Sequence, residues 1–442
     1  LGNDVGCFAA HLMFQGMQRG TDVMESVTRF LDGYRSRSVT VPGDLNAYVA
    51  AGLFRIGAMP FRLRLPLWRN VSEQLLASID HWAGVDQASP CKQGHLPRPT
   101  AFVSEEIAKS DAVDVEAWAR KATSPRQVIK HVAPVAWREL GDQSELVEMT
   151  CIRQLPQRRC VMRYRWQSVG QEASCGIIAK ARCGGTDLRA FRAAQQLYLA
   201  SRHVNGPLRL AEPLGVVPAW NAWLQAELAG RQLEPLLTPQ TPPKLLHRVG
   251  QALAEFHHLE VTADRAHSLD DERRILKEGL DAVRRKRNKY ASQLMQIEDG
   301  CDVLLKAIDN STVGLHRDFY PAQVLVDGDA HVAIVDCDLF ASGHPAVDIG
   351  NFVAHLQEQA LRQFGDHQAL RWQENAFVEG YHSVAECDHD AIKRMTAVSL
   401  ARHIYISWRI KPRRKQIKKL VPLIVRQINE LIQDTEMRIS ND

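Results

Sequence analysis

The chain has 442 residues, of which 45% are hydrophobic and 24% charged, and a formal net charge of +4. That length gives room for two or three domains with ample cores, and so small a charge surplus argues against a polybasic nucleic-acid binder. Nine cysteines lie scattered with no Cys-x-x-Cys pair, which speaks against a zinc site or disulfide scaffold. Together with the lack of an apolar run of the ~18 residues that suggest a membrane span, this leads us to expect a cytoplasmic protein with no membrane or nucleic-acid partner.

Residues 1–85 read as helices joined by turns. In VPGDLNAYVAAGLF, Pro and Gly mark a turn and Asp44 is placed to cap the helix that follows. The opening phrase DVGCFAAHL, from Asp4 to Leu12, returns as DIGNFVAHL, from Asp348 to Leu356. Further landmarks follow in the same order. Gly33-Tyr34 matches Gly380-Tyr381, Leu53 and Arg55 match Leu400 and Arg402, and both copies run through a basic stretch into an apolar helix. A repeat with a period as long as a domain is not a short solenoid unit. It marks residues 1–85 as a partial copy of the C-terminal part of the chain.

Residues 86–112 open on a Gly-, Pro-, Ser- and Gln-rich stretch that reads as a linker. From 113 to 230 the chain is β-rich. LVEMTCIRQLP and RRCVMRYRWQ form a predicted hairpin, and SCGIIAKARC gives a third strand. A helix follows, capped by Thr186 or Asp187, and then come two short strands. From 231 to 442 the pattern is helical, interrupted by one compact hairpin. Five strands and a helix followed by a helical block predict an α+β, two-lobe layout.

That late hairpin holds the chemistry. HRDFYPAQVLV, from His316 to Val326, is a polar loop running into a strand, and VAIVDCD, from Val332 to Asp338, is a strand ending on acid. Asp327-Gly328-Asp329 supplies the turn between them. Asp318, Gln323, Asp336 and Asp338 are therefore presented together at one hairpin mouth. Such oxygens suit phosphoryl transfer, which needs a carboxylate to orient a hydroxyl and oxygen ligands to hold Mg²⁺ against phosphates.

These two motifs resemble the signatures of the aminoglycoside phosphotransferase-like kinases, relatives of choline kinases and protein kinases. HRDFYPAQ resembles the family's catalytic loop, and IVDCDLFASGHPAVDIGNF resembles its metal-binding Asp followed by a Gly-x-Pro-x-x-Asp helix start. The resemblance covers about residue 113 to the C-terminus. It implies a protein-kinase-like fold preceded by an all-helical partial domain, and an ATP- and Mg²⁺-dependent transfer of phosphate to a small hydroxylated substrate. It also implies Asp318 as catalytic base in a loop shared with His316 and Arg317, Gln323 and Asp336 as metal ligands, and Asp348 as a bracing acid. Lys180 would meet the nucleotide phosphates, and the hinge at Gln225, Ala226 and Glu227 the adenine. No glycine-rich loop is present; RQLPQRR occupies that hairpin turn, as the family tolerates. The sequence departs from the family in two ways. It has Gln323 where Asn is usual. The helix after Lys180 carries no Glu to pair with it, leaving Gln195 or Gln196 as candidates. The alternative is a pseudokinase acting as a scaffold or regulator.

Overall fold

The computed structural model describes residues 2–19, 24–37, 45–57, five positions between 75 and 82, and 120–439 apart from 141–143, 156, 169–173, 287, 329 and 330. The expected linker 86–112, the cap at Asp44 and the basic stretch from Arg62 to Asn70 lie outside the described residues, as does Asp329. The chain divides into two compact units, Leu1–Val103 and Ser104–Asp442.

The first unit holds α1 (Gly2–Arg19), α2 (Met24–Arg37) and α3 (Leu45–Ile56). Val5, Ala9, Met13, Leu31, Val49 and Leu53 form its core. They recur at three- and four-residue spacings, so each helix presents one apolar stripe inward. α1 and α3 cross closely because Gly6 has no Cβ. A Cβ there would collide with the backbone of Tyr48.

Among the described residues of the second unit, the first α-helix is α4 (Pro125–Leu140), which the sequence reading did not anticipate. A five-stranded antiparallel sheet follows, in the order β1-β2-β3-β6-β5. Its strands are β1 (Ser144–Leu155), β2 (Arg159–Ser168), β3 (Ser174–Arg182), β5 (Pro213–Val217) and β6 (Ala222–Ala226), with the two-residue β4 (Leu208–Arg209) preceding β5. The predicted β1–β2 hairpin is present. Gln157 takes a left-handed φ of 53° at its turn. Between β3 and β4 lies α5 (Leu188–Ser201), with Asp187 as the N-cap accepting from the Ala190 amide at 3.0 Å.

The helical part contains α6 (Pro243–His257), α7 (Leu269–Arg284), α8 (Ala291–Lys306), α9 (Ala346–Gln363), α10 (Arg371–His382), α11 (His389–Arg409) and α12 (Ile417–Ile439). Short strands β7 (Arg231–Gln232), β8 (Ala266–His267), β9 (Val313–Leu315), β10 (Val324–Asp327), β11 (His331–Ile334) and β12 (Ala341–Gly343) build two small sheets, β4-β11-β10-β7 and β8-β12-β9. The β10–β11 hairpin pairs Val324 with Ile334 and Asp327 with His331, as the sequence pattern implies. Gly328, in the turn, has a φ of 54°, a conformation that favours glycine.

The two echoing segments, α1–α3 and α9–α11, share several local features. Phe8 and Phe30 have ring centroids 4.7 Å apart, and the positions that match them, Phe352 and Phe377, are 4.2 Å apart. Gly6 meets the backbone of Tyr48; at the matching position Gly350, a Cβ would come within 2.9 Å of Met395 and 2.7 Å of the Thr396 amide. The outer face differs between them. In the second unit, α6 packs on α10, and a Cβ at Gly380 would collide with the His247 backbone, whereas among the described residues nothing beyond its own stretch of helix lies within 4 Å of a Cβ at Gly33. Phe352 and Tyr381 are fully buried, but Phe8 is 52% exposed, and the buried Tyr34 hydroxyl has no hydrogen-bond partner among the described residues.

This contrast gives a paired test. Gly33→Ala adds a better helix former in open space and is expected to be neutral or to stabilise by up to about 1 kcal/mol. Gly380→Ala drives α6 from α10 and is expected to destabilise by about 1–3 kcal/mol. Urea unfolding followed by far-UV circular dichroism reads both. Equal effects at the two sites would contradict the description of the faces.

Candidate active site

Two loops and one strand bring the polar residues together. The first loop runs from β9 to β10 and carries His316, Arg317, Asp318 and Gln323. Asp348, in the first turn of α9, anchors it. The wholly buried carboxylate accepts from the His316 amide at 2.6 Å and the Arg317 amide at 2.8 Å. Its third donor is His257 Nε2 at 3.1 Å, and the Tyr381 hydroxyl lies 2.9 Å from His257 Nδ1. With its proton on Nε2, His257 donates to Asp348 and accepts from Tyr381. Charge-assisted bonds of this kind are about twice as strong as neutral ones. They hold Arg317 at a left-handed φ of 70°, a strained choice for a side chain of that size.

Hydrogen bonds fix the rest of the loop. His316 is fully buried and its Nε2 donates to the Val335 carbonyl at 2.9 Å, while Asn351 donates to the Phe319 carbonyl at 2.9 Å. Phe319 stacks on Phe352 with centroids 5.1 Å apart. Asp318 is thereby set between a buried His and a buried Phe. Burial raises its carboxyl above the usual range, and the cations His316 and Arg402 offset this only in part. Gln323 is buried, its backbone carbonyl accepts from the Val335 amide at 3.0 Å, and its amide nitrogen lies 3.4 Å from the Tyr320 hydroxyl.

The second loop follows β11. Asp336 sits at a left-handed φ of 65°, which turns its carboxylate towards β3. Lys180 Nζ lies 3.1 Å from Asp336 and 2.8 Å from Asp338, and 4.9 Å from the centroid of the Trp223 ring. Burial disfavours the charged ammonium, but Asp338 and Asp336 outweigh it and raise the lysine's pKa. Burial likewise pushes Asp336 up, and Lys180 with Arg159 more than reverses this, leaving its pKa lowered. Arg159, from β2, stands 3.7 Å from Asp336.

The sequence-predicted residues fall into three groups. Lys180, Gln225 and Asp336 line one cavity with Ala194, Leu197 and Trp223. His316, Arg317, Asp318 and Gln323 share the adjoining loop. Ala226 and Glu227 are committed to the sheet: their amides donate to the carbonyls of Glu212 and Gly176, both at 2.8 Å, and the Glu227 carboxylate faces Arg163 and Arg165. Gln195 and Gln196 are exposed on α5, so neither partners Lys180; Asp336 and Asp338 do. The reading missed His257, whose only sequence signal was its place at the end of a strongly amphipathic helix. It also missed the buried Glu272, which holds Arg402 at 2.9 Å and His267 at 2.6 Å.

Residues 186–387 match the family model described as the phosphotransferase enzyme family. Among solved structures it is similar to a choline/ethanolamine kinase family protein from Mesorhizobium loti, at 14% identity over 65% of this chain and 88% of that one, with a TM-score of 0.44. It is also similar to an ethanolamine kinase from Plasmodium vivax, at 12% identity over 75% and 95% with a TM-score of 0.44. An amicoumacin kinase shows 11% identity over 70% and 95% with a TM-score of 0.47. No curated protein matches the chain.

The brace at Asp348 can be tested directly. Asp348→Ala leaves two backbone amides and an imidazole buried without an acceptor, each worth about 1–3 kcal/mol. The variant is expected to lose about 3 kcal/mol or more of stability in urea titration. A midpoint unchanged from wild type would mean that the loop is held by other contacts.

Proposed function

We propose that the chain is an ATP-dependent phosphotransferase that moves the γ-phosphate to a hydroxyl group of a small molecule. The observation that carries this reading is that Asp318 and Gln323, on the loop braced by Asp348, and Asp336, on the loop after β11, flank one hairpin, with Lys180 3.1 Å from Asp336. Asp318 would accept the proton of the acceptor hydroxyl. Lys180, freed from Asp336, would meet phosphate oxygens. The rate gain would come from positioning and charge neutralisation, with no covalent enzyme intermediate.

The donor set suits Mg²⁺. Asp336 offers a carboxylate and Gln323 an amide oxygen, both hard ligands. Mg²⁺ commonly keeps several waters and uses one or two protein oxygens beside the phosphates. When bound, the ion would supply charge neutralisation at the transferring group. Gln323 has an arm one methylene longer than Asn, and its backbone is pinned by the Val335 amide, so the side chain alone must adjust. The acceptor is proposed only as a small hydroxylated molecule. Among the described residues, no helix is long and apolar enough to cross a membrane.

We also infer that residues 1–85 are a partial copy of a kinase-like helical region, joined by a linker over about 86–112 to lobes at 113–230 and 231–442. The paired Phe8–Phe30 and Phe352–Phe377 contacts and the matched glycine crossings support this reading. We assign the copy no catalytic role.

Two measurements test the catalytic reading. Asp318→Asn is nearly isosteric and is expected to lower turnover by about 10²–10⁴, read as ADP release with a panel of hydroxylated acceptors. Because the raised Asp318 carboxyl must be ionised to act as base, the wild-type rate should fall as pH drops through a value above the ordinary aspartate range, and Asp318→Asn should lose that limb. Wild-type turnover by the variant would remove Asp318 from the role of base. The second measurement is calorimetric titration with Mg·ATP. Asp336→Ala is expected to weaken binding more than Gln323→Ala, because a carboxylate contributes charge and an amide only a dipole. Full-strength binding by both would place the metal elsewhere.

A further inference from the structure

Lys180 has no acidic partner on the neighbouring helix. α5 contains neither Asp nor Glu; Ala194 and the buried Leu197 are the α5 residues that line the cavity beside Lys180 and Trp223, and Ala194 is the less buried of the two. The lysine is nevertheless held at two points, by Asp336 and by Asp338, and the two carboxylates are not equivalent. The Asp336 side chain is 23% exposed and is shared with Arg159 at 3.7 Å. The Asp338 side chain is 7% exposed. One of its oxygens takes Lys180 at 2.8 Å and the other takes Arg182 at 3.0 Å.

Strand geometry explains that bridge. Lys180 and Arg182 are two residues apart on β3 and so project from the same face. A single carboxylate between them is fixed on both sides. Arg182 is itself tied to the Asp187 cap at 3.0 Å, which prevents it from swinging away with Asp338. If Asp336 turns to a metal ion, Lys180 loses one of its partners. Asp338 remains.

We propose that Asp338 is the positioning residue for Lys180, supplying from the loop after β11 the carboxylate that α5 does not provide, with Ala194 marking the unused helix position. The assignment rests on the phosphotransferase reading. It removes the main reason to treat the chain as a pseudokinase, since the lysine is oriented without a helix glutamate. It also makes Lys180 and the candidate metal ligand Asp336 depend on one short segment, residues 336–338.

The test uses the full chain and two independent readouts. In the first, ADP release is measured for wild type, for Asp338→Asn and for Asp338→Asn combined with Ala194→Glu. The near-isosteric single variant is expected to lose at least about 30-fold in kcat/KM for Mg·ATP, since misplacing a group by about 1 Å can cost about 100-fold. The double variant, with a carboxylate returned from α5, is expected to recover at least about 5-fold of that loss, which a merely structural role for Asp338 would not produce. The second readout needs no catalysis. Lys180 acylation by an amine-reactive ester is followed by peptide mass spectrometry. Removing the 2.8 Å contact from Asp338 loosens the ammonium's position and opens it to reagent, so Asp338→Asn is expected to label faster than wild type and the double variant more slowly than the single. An Asp338→Asn chain with wild-type kcat/KM, or with unchanged Lys180 labelling, overturns the assignment. A double variant no better than the single on both readouts also overturns it. A wild-type chain that neither binds Mg·ATP nor releases ADP, yet shows the labelling pattern, overturns the phosphotransferase reading and leaves the ion-pair role of Asp338 standing.

Discussion

The buried carboxylate of Asp348 is the constraint on which the site depends. It is fully buried, and it is satisfied by two consecutive backbone amides and one imidazole. An ionised carboxylate in such a place is tolerable only with this many donors. The donors come from the loop before β10 and from the end of α6, so one side chain in α9 ties together three segments far apart in sequence. The left-handed Arg317 follows from this tie, because two adjacent amides can point at one carboxylate only if the chain turns sharply between them. Asp318, the next residue, inherits its position from that turn.

Packing repeats the same logic on the apolar side. Phe319 is stacked between the loop and α9, and α9 is held against α11 at the Gly350 crossing. The rigid helices therefore reach the polar loop through both charge and shape. The loop after β11 is fixed differently. Asp336 adopts a left-handed backbone with no carboxylate brace of its own, and its side chain is held from the other lobe by Lys180 and Arg159.

Much of this was legible in the sequence where signals are local. The β10–β11 hairpin, the polar loop, the lysine strand and the cap at Asp187 each depend on residues within a few positions of one another, and alternation or turn chemistry announces them. The echo between α1–α3 and α9–α11 was legible because a repeat needs no folding to be seen. What stayed hidden were pairings across long separations. Nothing in FHHL tells which histidine will meet Asp348, and nothing in DCDLF tells that the second acid, not a residue of α5, will face Lys180. Helix α4 was missed because Pro134 lies inside it, and an internal proline reads in sequence as a helix breaker. The residues expected to form a hinge show a further limit. The amides of Ala226 and Glu227 are spent within the sheet, a pairing that no local pattern announces.

The ion pairs around Lys180 have one more consequence. Three cations, Lys180, Arg182 and Arg159, face three carboxylates, Asp336, Asp338 and Asp187, all within 3.7 Å or less. These six groups are thus electrically balanced among themselves before anything enters the cleft between β3 and the loop after β11. A bare polyanion that is to pair with these three cations must displace a carboxylate. One that arrives with its own counter-ion can exchange partners pair for pair, so the cleft behaves as an ion exchanger, selective for charge that comes already neutralised.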